Sequence, residues 1–447
     1  MTVAAPAKPR SVFAVRDFRL LWSGEAISAL GDQLALIALP WLALLLTGSA
    51  LALGTVLAVM AIPRAVFMLV GGAYVDRLSP RRVMLISNAV RFVAMTLLGA
   101  IVLAGATQLW MLYVFGFVFG VADAFFYPAQ TAITPELVDG EQLQQANGIT
   151  QGTTQFTVLI GPAIAGVVIA ALGSSGAATG TPGVTGVGIA LLVDGLTFLV
   201  SIATLLLIHP RKIDHEAGQS SVIKNIVEGV RFAWHSPTLR VILLVSIGLN
   251  FLIAGPLDVG LPYLAYTRLP EGAVAFGLIM SAFGGGSLIG LVAATVLRPL
   301  PPKWFGTIVI TLVASSGVFL AALAFTSSTP VVLALGAIAG AILGYSNVSM
   351  ITWAQRRIPR ALMGRVMSLL AFASVALMPI SIAIAGVIVE ISFEGLLLFS
   401  GLGMAALTMS TLLSRSVRNM GLDPVVEEPI EDETPVSTAP TEQVLAA

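Results

Sequence analysis

Long apolar runs alternate with short polar breaks along almost the whole chain. A helix needs about 20 apolar residues to cross a bilayer. Twelve runs are long enough, near 20–46, 51–74, 83–104, 108–128, 149–172, 187–208, 239–264, 273–297, 304–326, 330–353, 364–390 and 394–414. One break is long: "HPRKIDHEAGQSSVIKNIVEGVRFAWHSPTLR" separates the sixth run from the seventh. Within it Val222, Ile226, Val230 and Trp234 repeat at helical spacing beside Lys224 and Arg231. That pattern predicts an amphipathic helix lying on a membrane surface. After Arg418 the apolar pattern stops, and the Pro- and acid-rich "EEPIEDETPVSTAP" predicts a disordered tail. The expectation is an all-α membrane protein with 12 transmembrane helices in two six-helix halves related by a pseudo-two-fold. The halves span 1–208 and 239–420, with a linker over 209–238 and an acidic tail over 421–447.

Composition supports lipid as the main solvent. The 447 residues are 57% hydrophobic and 10% charged, against about 25% charged in soluble domains, and the mean hydropathy is +0.95. A formal net charge of zero argues against a nucleic-acid partner. The chain has no cysteine, and His209, His215 and His235 share one polar stretch, so neither thiol chemistry nor an intramembrane His-metal site is expected. No cofactor is expected either, and no phosphate-binding Gly-x-x-x-x-Gly-Lys-Ser/Thr loop is present for ATP. The first apolar run outlasts a signal-peptide core and has no clear cleavage site, so the N-terminus is expected to be retained. Of the 23 Lys and Arg residues, Arg268 alone falls in an outer loop if the N-terminus lies inside, while Arg64 and Arg91 fall within spans. Positive loops stay in the cytoplasm, so both termini are expected there.

Two stretches carry a family pattern. The loop between spans 2 and 3, "GGAYVDRLSPRRVML", places Gly72, Asp76, Arg77, Arg81 and Arg82 at the spacing of a signature that resembles the major facilitator superfamily. Ser79 stands where that family usually has a second glycine. Physically, Gly72 permits close helix approach, Asp76 suits a positive helix N-terminus, and the arginines can bridge to acids and hold the cytoplasmic side shut. The plainer reading makes them topology anchors. In span 5, "GITQGTTQFTVLIGPAIAGV" resembles the superfamily's antiporter motif through Gly148, Gly161, Pro162 and Gly166, with Thr157 and Ala165 replacing two of its glycines. The plainer reading is small-residue packing. The junction of spans 10 and 11 repeats the layout with Pro359, Gly364, Arg365, Pro379 and Gly386, as in two related halves. The resemblance implies an exporter that exchanges substrate for protons. Many proton antiporters of this family carry an arginine inside span 4, and "LYVFGFVFGVADAFF" has none; Arg91 in span 3 is the candidate substitute.

The first span also carries two acids. Glu25 and Asp32 are seven residues apart, about two turns or ~10 Å of rise, so they share a helix face. Ionisable groups inside a membrane normally face a wet interior and mark function, and a low dielectric favours a protonated carboxyl. Asp32, with Glu25 and more weakly Asp123, is therefore the candidate proton or cation site; the alternative is a structural acid paired with Arg64 or with backbone. Asp194 is expected to be structural, and Glu390 and Glu394 to mark the outer end of the last hairpin. Asn250 and Asp258 lie in a Gly/Pro-interrupted span 7, and Asn250 is a candidate cavity group.

These readings point to a monomeric, multi-pass transporter of the bacterial cytoplasmic membrane, exporting small amphiphilic or drug-like molecules by proton antiport. The alternatives are an exporter of a native metabolite such as a siderophore or lysolipid, and an importer on the same fold. An enzyme fits less well, because no His/Asp cluster and no cysteine lies in the spans, and a receptor without transport would not need the two-half layout.

Overall fold

The computed structural model describes residues 11–173, 184–211, 231, 234, 237–358, 366, 369–370 and 372–422, with the backbone alone for 68–77 and 237. The predicted amphipathic linker helix apart from Arg231 and Trp234, the junction residues Pro359, Gly364 and Arg365, and the acidic tail beyond Leu422 lie outside the described residues.

Twelve helices are long and apolar enough to cross a membrane. Helices are what such a sequence must form, because lipid offers the backbone no hydrogen-bond partner. They are α1 Arg16–Thr47, α2 Ala50–Arg77, α3 Pro80–Leu103, α4 Leu109–Leu137, α5 Gly140–Gly173 and α6 Thr185–Leu207. The second set is α7 Thr238–Arg268, α8 Ala273–Val296, α9 Phe305–Phe325, α10 Thr329–Gln355, α11 Phe372–Ile391 and α12 Phe393–Leu413. Among the described residues there is no strand. The interruption expected in span 7 is a π-helical turn over Pro256–Gly260, which carries Asp258; such turns often accompany functional sites.

The bundle has a terminal end, where α1 starts and α12 finishes, and a distal end. One apolar core joins both halves toward the distal end, with Ala38, Leu42 and Leu53 from the first half packed together with Leu264, Phe276, Ala385 and Val389 from the second. At the terminal end the halves have separate cores, one around Phe18, Phe126 and Leu205 and the other around Leu239, Ile310 and Trp353. The halves are thus zipped distally and divided terminally.

The distal zip relies on small residues. A Cβ on Gly54 of α2 would stand 2.9 Å from the Gly386 Cα of α11, and one on Gly166 of α5 would stand 2.5 Å from the Ala273 carbonyl at the start of α8. Pro162 has no N–H to offer the carbonyl one turn back. That Val158 carbonyl faces α8 instead, 2.9 Å from where a Gly284 Cβ would stand. The Ala163 N–H donates to Ser281 Oγ of α8 at 2.9 Å. At the rim, Trp41 of α1 meets Tyr266 of α7 edge-on at 5.7 Å, and Glu390 accepts from the Leu51 N–H at 3.1 Å. Glu394 pairs with Arg268. The two acids expected merely to mark a hairpin therefore act as fasteners, Glu390 between the halves and Glu394 within the second.

Candidate functional site: buried charges of the first half

Four helices bring the intramembrane charges together. Asp32 comes from α1, Arg64 from α2, Arg91 from α3 and Asp123 from α4. Arg91 is 1% exposed and ion-paired with Asp123. Its guanidinium lies over Phe126 at 4.1 Å and between Phe119 and Phe198 at 5.4 Å each. Aromatic faces favour a desolvated cation, so this arginine is held by a carboxylate and three rings. Arg64 reaches the other Asp123 oxygen at 3.7 Å and stacks over Tyr127 at 4.6 Å. Asp123 is thereby paired with two cations, one on each oxygen.

Asp32 is different. It is half-buried, and its Oδ1 is shielded from solvent with no hydrogen-bond partner. It feels the charges of Arg91, Asp123 and Arg64 without an ion pair to any of them among the described residues. Behind it, Asp194 of α6 is fully buried, and both its oxygens lack a partner. Its Oδ1 lies 2.7 Å from where a Gly31 Cβ would stand, so only glycine at position 31 lets this acid stand beside Asp32. The structure places Asp194 in the same electrostatic group as Asp32, which sequence reasoning missed. The residue carried no local motif, and the signal available was a lone acid in an apolar span.

Glu25, nearer the terminal end, is well partnered. It accepts from Ser201 Oγ at 2.8 Å and from Gln130 Nε2 at 3.1 Å, and Asn88 Nδ2 donates to the same Ser201 hydroxyl at 2.9 Å. A small pocket of about 50 Å³ adjoins it, with Thr150, Thr153 and Thr154 in its wall. This is room for a water and polar partners to hold one.

The motif residues divide. Gly161 backs directly onto α1: a Cβ there would lie 2.5 Å from Gln33 Cγ, next to Asp32. Gly166 and Pro162 form the seam with α8, whereas Gly148 is exposed with open space around it. Arg81 differs from the expected bridge to an acid. Its Nε and Nη2 donate to the Leu205 and Leu206 carbonyls at 2.7 Å each, at a helix C-terminus, whose dipole attracts a cation. Arg82 is exposed, and the side chains of Gly72, Asp76 and Arg77 lie outside the described residues. From the second half, Asp258 on the π turn feels the charge of Arg64 on α2 of the first half. Asn250 Nδ2 donates to Ser246 O of its own helix at 2.8 Å. Among the described residues no group of three or more His, Asp or Glu could hold a metal ion.

Comparison with known proteins agrees with this architecture. A family model described as Major Facilitator Superfamily matches residues 21–379. The chain is 27% identical over 374 residues to the multidrug efflux pump Tap of Mycobacterium tuberculosis, covering 82% of this chain and 85% of that one. It is 21% identical over 275 residues to macrolide efflux protein A of Streptococcus pyogenes, covering 61% and 64%. The solved nucleoside transporter NupG superposes with a TM-score of 0.68 at 14% identity, over 89% of this chain and 98% of that one. A bacterial homologue of the iron transporter ferroportin in an inward-facing state gives 0.64 at 19% identity, over 90% and 99%. Identities this low speak to the fold.

Proposed function

The chain belongs to the Major Facilitator Superfamily, and on that premise we propose that it exports small amphiphilic, drug-like molecules by proton antiport through alternating access. It is a multi-pass protein of the bacterial plasma membrane. The observation that carries the coupling is Asp32: a carboxyl deep in the bundle whose Oδ1 has no hydrogen-bond partner, beside an arginine already neutralised by Asp123. A carboxylate oxygen shut off from water without a partner is costly, and binding a proton or a cationic substrate removes that cost. Glu25, with its water-sized pocket toward the terminal end, is the relay between Asp32 and the aqueous phase on that side.

The Lys and Arg distribution assigns the terminal end, and both chain termini, to the cytoplasm. The state described, zipped distally and divided terminally, is then the one that loads substrate from inside. Rocking of residues 1–208 against 239–420 breaks the distal zip and closes the terminal end. In that closed state Gly72, Asp76, Arg77, Arg81 and Arg82 form the latch. Gly161, Pro162 and Gly166 are the seam along which α5 slides against α8, with Gly148 at its terminal end. The relatives named as multidrug and macrolide efflux proteins favour drug-like cargo over a native metabolite, and one chain is the working unit.

The test is transport in inside-out vesicles carrying this chain, with an inward-acid proton gradient and ethidium as the cationic probe. Gradient-dependent accumulation that Asp32→Asn abolishes is expected. Accumulation that Asp32→Asn leaves untouched removes the proton role of this residue. No accumulation of any amphiphile by correctly inserted protein removes the efflux reading.

A further inference from the structure

We infer that a half-open pocket lined by the second half alone, on α7, α9, α10, α11 and α12, is a binding site for the uncharged apolar body of a ligand, with Ser346 as the group that reads a polar atom on it. This rests on the efflux reading for the identity of the ligand, but the site stands on its own geometry.

The two halves treat corresponding space differently. In the first half, side chains from α1, α3, α4 and α6 fill the interior with a hydrogen-bonded set: Glu25, Asn88, Gln130 and Ser201. Helices six places later in the chain, α7, α9, α10 and α12, wall the cavity in the second half. Among the described residues no such network forms there, and about 530 Å³ is left open. That volume lies within the ~300–1,000 Å³ of small-molecule sites.

The lining selects the ligand. Along α7 the wall residues Ile242, Leu249 and Ile253 repeat at helical spacing, and Val313 and Met350 face them from α9 and α10. No lining residue among those described is ionisable. A charged group would therefore enter unpaired, at high cost, and belongs instead in the acidic cluster of the first half. The polar groups are few. Ser346 is 4% exposed, and its Oγ has no hydrogen-bond partner, which is rare for a buried hydroxyl. Asn250 has spent an amide N–H on Ser246 O, leaving Oδ1 as an acceptor on the same wall. The chemical class is thus a neutral, mainly hydrocarbon or aromatic body carrying one or two hydrogen-bonding atoms.

The test uses purified full-length protein and N-phenyl-1-naphthylamine, a neutral aromatic amphiphile with one N–H. Binding is read as the saturable part of energy transfer from tryptophan to the probe. Val313→Phe, which fills the cavity, is expected to weaken binding at least tenfold. Ser346→Ala, which keeps the space and removes the hydroxyl, is expected to weaken it about three- to tenfold, the range for one hydrogen bond. If Val313→Phe does not fold, Ser374→Phe, from an exposed position on the cavity edge, fills the same space. Saturable binding unchanged in both the filling and the hydroxyl variant overturns the inference. So does native mass spectrometry showing a phospholipid that the filling variant loses and the probe cannot displace, since the cavity is then a lipid site. Ethidium transport by the unmodified protein separates the two readings. Gradient-driven ethidium accumulation with insensitive probe binding overturns this inference and leaves efflux standing. Probe binding that depends on Val313 and Ser346, without transport of any compound, upholds the site and overturns efflux.

Discussion

Glu25 and Asp32 lie two turns apart on one face of α1, yet Glu25 accepts hydrogen bonds from Ser201 and Gln130 while Oδ1 of Asp32 accepts none. The two acids should therefore differ sharply on neutralisation. Asp32→Asn is expected to abolish gradient-driven uptake while exchange of substrate across vesicles without a gradient persists. Glu25→Gln keeps an acceptor for Ser201 and sacrifices the bond from Gln130, so uptake should slow by only about fivefold, the effect of one ordinary hydrogen bond. Measuring both variants in both assays decides it; equal losses in the two would remove the distinction between coupling group and relay.

Arg91 and Asp123 should behave as one unit. Removing one member of a buried pair leaves an uncompensated charge and costs about 3–5 kcal/mol, whereas replacing both by apolar residues of similar size is often close to neutral. Arg91→Met is expected to destabilise strongly, softened by Arg64, which stands 3.7 Å from Asp123. Arg91→Met with Asp123→Leu should regain most of the lost stability without regaining transport. Thermal unfolding of the purified variants reads this, and a double variant no more stable than Arg91→Met would show that the pair is not the element that matters.

Much of the fold was legible because lipid forces one solution. Each of the twelve apolar runs corresponds to a membrane-length helix among the described residues. Boundaries were less legible, since hydropathy reports where oil is and not where a helix ends: α5 begins at Gly140, because "GEQLQQANG" continues the helix into polar surroundings. Glu25, Asp32 and the glycines of α5 were found by spacing along one helix. Their partners were not, because Asp194 meets α1 through tertiary packing, and Glu390 reaches Ser49 across 341 residues. The apolar cavity left no trace in the sequence, since a void is a property of how helices fail to meet.

Ser79 is the position where the loop between α2 and α3 departs from its family pattern, and the structure gives that departure a physical meaning. Ser79 is the one non-glycine with positive φ among the described residues, at 27°. It precedes α3, whose Arg82 N–H bonds to the Ser79 carbonyl at 3.0 Å. A side chain in so sparsely populated a region costs about 1–3 kcal/mol, and glycine adopts it without that penalty. Ser79→Gly is expected to stabilise the protein by about 1 kcal/mol in thermal or denaturant unfolding. A loss of stability would mean that the serine hydroxyl contributes more than the backbone strain removes.

The distal zip between α2 and α11 should be breakable by bulk alone. A Cβ on Gly386 would stand 3.0 Å from the Ala50 carbonyl and 3.2 Å from the Gly54 Cα, so alanine already crowds the contact and leucine cannot fit the zipped state. Overpacking of this kind costs about 1–3 kcal/mol, which shifts a two-state ratio by roughly 5- to 150-fold. Gly386→Leu is therefore expected to populate the distally open state and to slow transport, with the protein still folded. The chain contains no cysteine, so Ala106→Cys and Ser327→Cys, exposed in the distal loops of the first and second halves, can carry a clean pair of spin labels. Pulsed electron-spin resonance should show the distance between them lengthen in Gly386→Leu. An unchanged distance in a folded variant would mean that α2 and α11 yield locally, and that their contact does not govern which end of the bundle is closed.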